Sequence, residues 1–581
     1  MRLSLIFTAL LRTLWCARPG HSIHNPIIPG WNPDPAVLRV GSEYFIATSS
    51  MEYWPGIPIY RSTDLQHWAL YSHALTRPEQ LQLNGVPTSA GTNVPCSLLS
   101  FVADIQTGAW APSLSFINGT FYLTTSVRWT YDPVAKVWPR VFWVSSADLK
   151  HWSDPVWSDP WGIDPSLFQD PNTDQVYLNL MAPNNNIDKL WGIYQCEVNL
   201  ATGRCVGDYY SLWNGTMPHT ADARPEGPKM LKHGNWYYLM IAEGGTDELH
   251  RSTIARSASP TGPWEPAPNN PLLYNGKFGF NNLTVQSTGH ATMFDTDRGS
   301  WYAVFLARRN INGSSPLGRE TFLCPVDWRN GWSVFNNGDP ILLNPDTKPA
   351  STPAPFVDTF SNRSLHPSWY QLRTPYQETY TLGRNKVSDS PGLVLHPNVF
   401  SLSDRDVPAA VLRKQTSLNS TFSATLLPFT DTGSLGVTQS VGISAYLSEL
   451  QHQDIGVTGC TDHAEMMCIY TSLLNNGTTE YMQYPLKEVE SRQTLTLHIR
   501  AQPLQYHLGY STGISAVKWL ASFPSSWMAV APPDWFVFTG AMFGLFASGN
   551  GVPWPHSAPE VGFQGVREVY HPEDIPDYDR W

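Results

Sequence analysis

The stretch Gly162-Ile-Asp164-Pro-Ser-Leu-Phe168, answered after a turn by Tyr177-Leu-Asn-Leu180, decides the fold. A special residue leads a short apolar segment, and an aromatic apolar strand returns beside it. The pattern recurs in Asp34-Pro-Ala-Val-Leu…Tyr44-Phe-Ile-Ala, Trp110-Ala-Pro-Ser-Leu…Tyr122-Leu-Thr-Thr, Glu226-Gly-Pro-Lys-Met…Tyr237-Tyr-Leu-Met and His290-Ala-Thr-Met-Phe…Tyr302-Ala-Val-Phe. In every copy the leading residue lies 10 to 13 positions before the Tyr. Both segments have strand composition, and the turn between them carries Gly, Asn or Asp. A second element follows some copies: Ser62-Thr-Asp-Leu65-Gln-His-Trp68, Ser146-Ala-Asp-Leu149-Lys-His-Trp152 and, more loosely, Ser257-Ala-Ser-Pro-Thr-Gly-Pro-Trp264. Five strand-rich units of about 55–80 residues predict a five-bladed β-propeller over residues 23–343. Longer spacing between the first two units leaves room for an insertion around Leu75 to Thr107.

Outward from the repeats, Asn344-Pro-Asp-Thr-Lys-Pro-Ala-Ser-Thr-Pro-Ala-Pro355 reads as a Pro-rich linker. Residues 356–581 alternate polar and apolar positions, as in Thr421-Phe-Ser-Ala-Thr-Leu and Thr494-Leu-Thr-Leu-His-Ile, and predict a β-sandwich. The whole chain is thus expected to be all-β. Composition agrees: 49 Pro and 42 Gly in 581 residues disfavour long helices, and 42% hydrophobic residues supply large cores. The net charge of −11, with no Lys/Arg block, argues against a nucleic-acid partner. No run approaches the ~20 apolar residues of a membrane span.

The first 22 residues, from Met1-Arg2 through the apolar run Leu3 to Leu11, read as a signal peptide and predict a secreted, extracellular protein. Sequons at Asn118, Asn214, Asn282, Asn312, Asn362, Asn419 and Asn476 point the same way, toward a glycoprotein. Cysteines lie at 16, 96, 196, 205, 324, 460 and 468. Cys196/Cys205 and Cys460/Cys468 are close enough to bridge a turn; buried free thiols are the alternative. No Cys/His spacing suggests zinc.

In a propeller the first strand of each blade lines the central channel, so residues at those strand starts meet at one mouth. The repeat therefore gathers Asp34, Trp110, Asp164, Glu226 and His290. A single Asp-Pro is usually a turn or cap; three acids at matched repeat positions point to a site. Clustered acids in an aromatic cleft suit glycosidic bond cleavage. One protonated acid donates to the leaving oxygen, and one carboxylate activates water on the opposite ring face. A third carboxylate would raise the acid's pKa. Separate blades across a funnel fit the wider, ~6.5–9.5 Å carboxylate gap of inverting enzymes.

These and further stretches resemble glycoside hydrolase family 43, the β-xylosidase and α-L-arabinofuranosidase type. They include Asn25-Pro-Ile-Ile-Pro-Gly-Trp-Asn-Pro-Asp34-Pro, Ile46-Ala-Thr-Ser…Trp54-Pro-Gly-Ile-Pro-Ile-Tyr60, Ile241-Ala-Glu-Gly-Gly-Thr246 and Leu317-Gly-Arg319-Glu-Thr. Phe356-Val-Asp-Thr-Phe360, Leu412-Arg-Lys-Gln-Thr416 and Gly540-Ala-Met-Phe-Gly544 resemble the appended, concanavalin-like sandwich of that group. The resemblance implies Asp34 as general base, Glu226 as general acid, and Asp164 as the residue that tunes and orients the acid. It implies Trp110 as an aromatic wall, Arg319 as a contact to sugar hydroxyls, and His290 near the axis, where some relatives hold water or a divalent ion. A satisfied core histidine is the alternative for His290. Trp54 is a candidate pocket liner or ordinary packing. No cofactor is expected, and the sandwich is expected to close one side of the pocket. Met51, where related β-xylosidases usually show Phe, and the aromatic stretch Val127-Arg-Trp-Thr-Tyr-Asp132 depart from the pattern at the rim.

The expected activity is exo-acting, inverting release of xylose from β-1,4-xylo-oligosaccharides or arabinoxylan fragments, with α-L-arabinofuranosidase activity as an extension. An arabinan-degrading propeller would usually lack the sandwich. A non-catalytic sugar-binding propeller would have lost an acid, and all three are present.

Overall fold

The computed structural model describes residues 23–84, 108–131, 136–183, 190–220, 222–279, 282–343, 353–384, 389, 391–428, 435–463, 466–475, 477–487, 493–531 and 535–572. The signal segment, Cys16, Cys96, Asn476 and most of the linker and of the expected insertion lie outside these residues.

Five antiparallel sheets form the propeller. Their innermost strands are Ala36–Val40, Ser113–Ile117, Ile163–Gln169, Glu226–His233 and Val285–Asp295. Each neighbours the next around a closed ring. The conserved offset of the repeat becomes a hairpin, with Tyr44, Tyr122, Tyr177, Tyr237 and Tyr302 on the second strands. The turn chemistry is local. Asn118 and Gly119 join Ile117 to Thr120 with φ of 49° and 81°, the positive pair that a two-residue hairpin turn requires. In the duplicated outer turn, the Ser62 hydroxyl accepts the Leu65 N–H at 2.9 Å, and Ser146 does the same for Leu149.

The ring is closed by the chain's own start. Ile27 N–H donates to the Thr321 carbonyl at 2.9 Å, Leu323 N–H to Asn25 Oδ1 at 2.8 Å, and Asn32 N–H to the Arg319 carbonyl at 2.8 Å. The segment before the first blade is thereby stitched to the third strand of the last.

The propeller's last strand, Trp332–Phe335, is followed by a sandwich that opens at Phe356–Asp358. Two eight-stranded antiparallel sheets face each other. Alternation in Ser420–Leu426 and Leu495–Ala501 buries Phe422, Ala424, Leu497 and Ile499 between them. The outer face of one sheet packs on the propeller through Trp31, Met51, Tyr53, Tyr370, Leu412 and Met542. Tyr53–Trp54 leaves the first blade and adds to that sheet, pairing with Leu372 and Gln371. Both expected cysteine pairs are disulfides, Cys196–Cys205 within the third blade and Cys460–Cys468 in the sandwich, whereas Cys324 is a buried free thiol. Local bridges of this kind contribute ~2–4 kcal/mol each.

Candidate active site

The innermost strands begin with a shared distortion. Asp34, Asp164, Gly227 and His290 have φ of 56°, 53°, 60° and 51°. In three of these blades a proline follows (Pro35, Pro165, Pro228), so no N–H is offered to the ladder there. Pairing shifts between Ile163 and Ser166, between Glu226 and Lys229, and between Gln286 and Gly289. Bulges of this kind re-aim side chains next to active sites. One detail differs from the repeat alignment: Gly227, not Glu226, occupies the positive-φ slot filled by Asp34 and Asp164. Glycine is required there, since a Cβ would lie 2.6 Å from Nε2 of His290. The acid of the fourth blade therefore sits one residue earlier.

Asp34 is buried and tightly held. Ser49 donates its hydroxyl to Oδ2 at 2.6 Å, and Arg319 donates Nη1–H to Oδ1 at 3.0 Å. His290 Nδ1 lies 3.5 Å from the same Oδ1. Burial pushes the Asp34 pKa up, but Arg319, His290 and Ser49 outweigh it, leaving the carboxyl below its ordinary value. Burial holds His290 itself neutral, with its pKa pushed down to about 3. Arg319 and Ser49 are therefore the groups that keep Asp34 ionised at neutral pH.

Asp164 and Glu226 behave differently. Burial, the Glu226 charge and the Asp34 charge push Asp164 well above its usual value, against Lys229 and a hydrogen bond from the Gly227 N–H. Burial and then Asp34 raise Glu226 to about 7, against Arg224 and Arg319. The two acids form one coupled unit that retains a proton toward neutrality. Glu226 is the partly exposed member, while Asp34 and Asp164 are buried. Lys229, buried beside Asp164, has its own pKa pushed down to about 8 by burial, with Asp164 and Asp34 opposing. Ligand atoms of Asp164, Glu226 and His290 lie within 4.8 Å of one another. Two carboxylates and one imidazole fall short of the about six to eight oxygens of a calcium site, and Lys229 beside Asp164 adds positive charge, so these side chains alone do not make a calcium site. The acid–base chemistry these groups can perform needs no cofactor.

The other expected residues divide. Arg319 bridges two domains: besides Asp34 it donates Nη2–H to the Phe538 carbonyl at 3.2 Å, and its guanidinium lies 5.1 Å from the Phe538 ring centre. Trp110 is half-buried, with Arg128 5.3 Å from its ring centre, at the edge of the cluster that joins the two domains. His290 is buried beneath the acids. Trp54 is not brought to them: it is 3% exposed and packs with Ile57, Leu75 and Leu83 in the core of the first two blades. Sequence reasoning missed Ser49, Lys229, His250 and Phe538. Ser49 and Lys229 lie inside stretches already quoted, but nothing in those stretches marks them as partners of a charge. His250 donates its Nδ1–H to the Ser287 carbonyl at 2.9 Å and fills the space that a side chain on Gly289 would need.

With this geometry in view, comparison with known proteins is decisive. Residues 23–333 match the profile described as Glycosyl hydrolases family 43, and residues 357–558 match the Beta xylosidase C-terminal Concanavalin A-like domain. The chain is 32% identical over 557 residues to the non-reducing end alpha-L-arabinofuranosidase of Bacteroides ovatus, covering 93% of this chain and 95% of that protein. It is 30% identical over 560 residues to the xylan 1,3-beta-xylosidase of a Vibrio species, covering 91% and 96%. The crystal structure of xylan beta-1,4-xylosidase from Bacillus halodurans superposes with a TM-score of 0.80 at 28% identity, covering 94% of this chain and 100% of that one. A five-bladed propeller with its acids at one mouth, a concanavalin-like sandwich, and relatives along nearly its full length together establish that this chain is a glycosidase belonging to glycosyl hydrolase family 43.

Proposed function

We propose that the protein is an inverting, exo-acting β-xylosidase with α-L-arabinofuranosidase activity, in which Asp34 is the base and Glu226 the acid. One observation carries the reading: two carboxyl groups of one buried site are driven to opposite protonation states, Asp34 low and Glu226 to about 7. The ionised Asp34 takes a proton from water as that water attacks the anomeric carbon. Glu226 delivers its proton to the leaving oxygen on the other side. The attack face is opposite the leaving group, so the configuration inverts. Asp164 tunes and orients the acid, Lys229 beside it favours the ionised form of Asp164, and Trp110 and Arg319 meet the terminal sugar. Support for exo action comes from the sandwich, whose Phe538 stands against Arg319 and walls one side of the site, an arrangement that suits a chain end better than a through-going polymer.

An aryl β-D-xyloside, an aryl α-L-arabinofuranoside and linear arabinan form the deciding panel. Turnover of the first two and not the third is expected, with NMR showing the inverted anomer first. A retained anomer, or arabinan as the preferred substrate, overturns the reading. Secretion and glycosylation belong to the same proposal. Two disulfides suit an oxidising compartment, and Asn118, Asn282, Asn312 and Asn362 are exposed.

A further inference from the structure

The stretch Leu412-Arg-Lys-Gln-Thr416, whose Arg413 pairs with Glu568 at 2.9 Å, is where the sandwich grips the propeller. Lys414 ends the Ala409–Lys414 strand and is buried, its ammonium 5.0 Å from the Trp31 ring centre and 5.4 Å from that of Tyr370. Its Nζ donates to Asn32 Oδ1 at 2.8 Å. Asn32 stands two residues before Asp34. The next residue in the motif closes the same contact: a Cβ on Gly30 would lie 2.5 Å from the Gln415 carbonyl. Gln415 is itself held by Tyr506, whose hydroxyl donates to its side-chain oxygen at 2.8 Å.

Asn32 is fixed from every side. Tyr60 donates its hydroxyl to the same Oδ1 at 2.6 Å, and the Asn32 amide donates to the Pro29 and Gly30 carbonyls at 3.1 and 3.2 Å. Thr321 donates to the Asn32 carbonyl at 2.7 Å, and the Asn32 N–H donates to that of Arg319. Beyond it, Ser49 N–H donates to the Pro33 carbonyl at 3.1 Å while the Ser49 hydroxyl holds Asp34. A buried ammonium is costly to desolvate, and a Met or Leu would pack between two aromatic rings more cheaply. Its presence calls for a task that an apolar side chain could not perform.

We propose that Lys414, supplied by the sandwich, is a positioning residue for the catalytic base, setting Asp34 against Arg319 and the attacking water through Asn32. The inference rests on Asp34 being that base. It makes the sandwich part of the acid–base apparatus and not only a wall of the pocket.

The test is Lys414→Met in the full-length enzyme, beside Asp34→Asn. Misplacing a catalytic group by a fraction of an ångström to ~1 Å costs up to ~100-fold. Lys414→Met is expected to lower kcat about 10- to 100-fold with KM nearly unchanged. Its melting temperature should hold or rise, because a buried charge has gone. The acid limb of the pH–kcat/KM profile should move to higher pH as Asp34 loses its alignment with Arg319. A purely structural lysine would move the melting temperature and leave that limb in place. Lys414→Gln, which keeps a shorter donor, should recover part of kcat; it carries the same test if the Met variant does not fold. Wild-type kcat and acid limb in a folded Lys414 variant, with Asp34→Asn inactive, overturn this inference alone. An active Asp34→Asn overturns the base assignment beneath it.

Discussion

Asp34 and Glu226 share one funnel, but their surroundings are opposites. Asp34 is enclosed by donors: a hydroxyl at 2.6 Å, a guanidinium at 3.0 Å, and a segment pinned by both domains. Glu226 begins its strand, is partly exposed, and has the Asp34 carboxylate as its strongest charged neighbour, ahead of Arg224 and Arg319. Burial raises both pKa values. Only at Asp34 do fixed donors outweigh it. What separates base from acid is therefore the supply of hydrogen-bond donors and cations rather than depth.

The comparison can be broken directly. Asp34→Asn and Glu226→Gln should each cost about 10²–10⁴-fold in kcat on xylobiose. They should part on an aryl xyloside with an acidic phenol, whose departure needs no proton: Glu226→Gln recovers much of its rate there and Asp34→Asn does not. Equal losses on both substrates would erase the distinction. Next in size is Arg319→Met. Without the cation, burial at Asp34 is opposed more weakly, chiefly by Ser49, so its pKa rises and the acid limb moves to higher pH, with kcat/KM falling about 10- to 100-fold. The alkaline limb is expected near 7 in the wild type, where Glu226 loses its proton, and should stay there in Arg319→Met to within the small loss of that arginine's influence. A limb set by Asp34 that ignores Arg319 would refute the account of how the base is kept ionised. Smallest in activity is Trp54→Phe. It should leave kcat unchanged and lower stability by less than the ~3–5 kcal/mol of a truncation to Ala. A raised KM instead would return Trp54 to the pocket.

Much of this site was legible because a propeller repeats. Asp34-Pro and Asp164-Pro announce themselves through position, and the strand–turn–Tyr spacing gives the blades. The one-residue offset of Glu226 was not legible: a bulge with Gly227 in the special slot looks, in sequence, like a shorter hairpin. Lys229 and Ser49 act through distance to a charge, which no periodicity encodes. Phe538 and Lys414 reach the site from the other domain. Tyr53–Trp54 joins the sandwich by pairing Trp54 with Gln371, 317 residues onward, a pairing chosen by domain docking and not by local pattern. Trp54 was open to either reading in sequence because a Trp in a Pro-Gly loop looks the same whether it faces sugar or core.

The stitch that closes the ring also sets a schedule. Asp34 is made well before its partners: Arg319 follows 285 residues later, Lys414 lies 382 residues beyond Asn32, and Phe538, which accepts the Trp31 indole N–H, comes 507 residues after Trp31. A chain translated through the first four blades carries Ser49 but still lacks Arg319, and one that ends with the propeller lacks Phe538 and Lys414. The surroundings of the base are therefore completed in stages, the last of them with the sandwich.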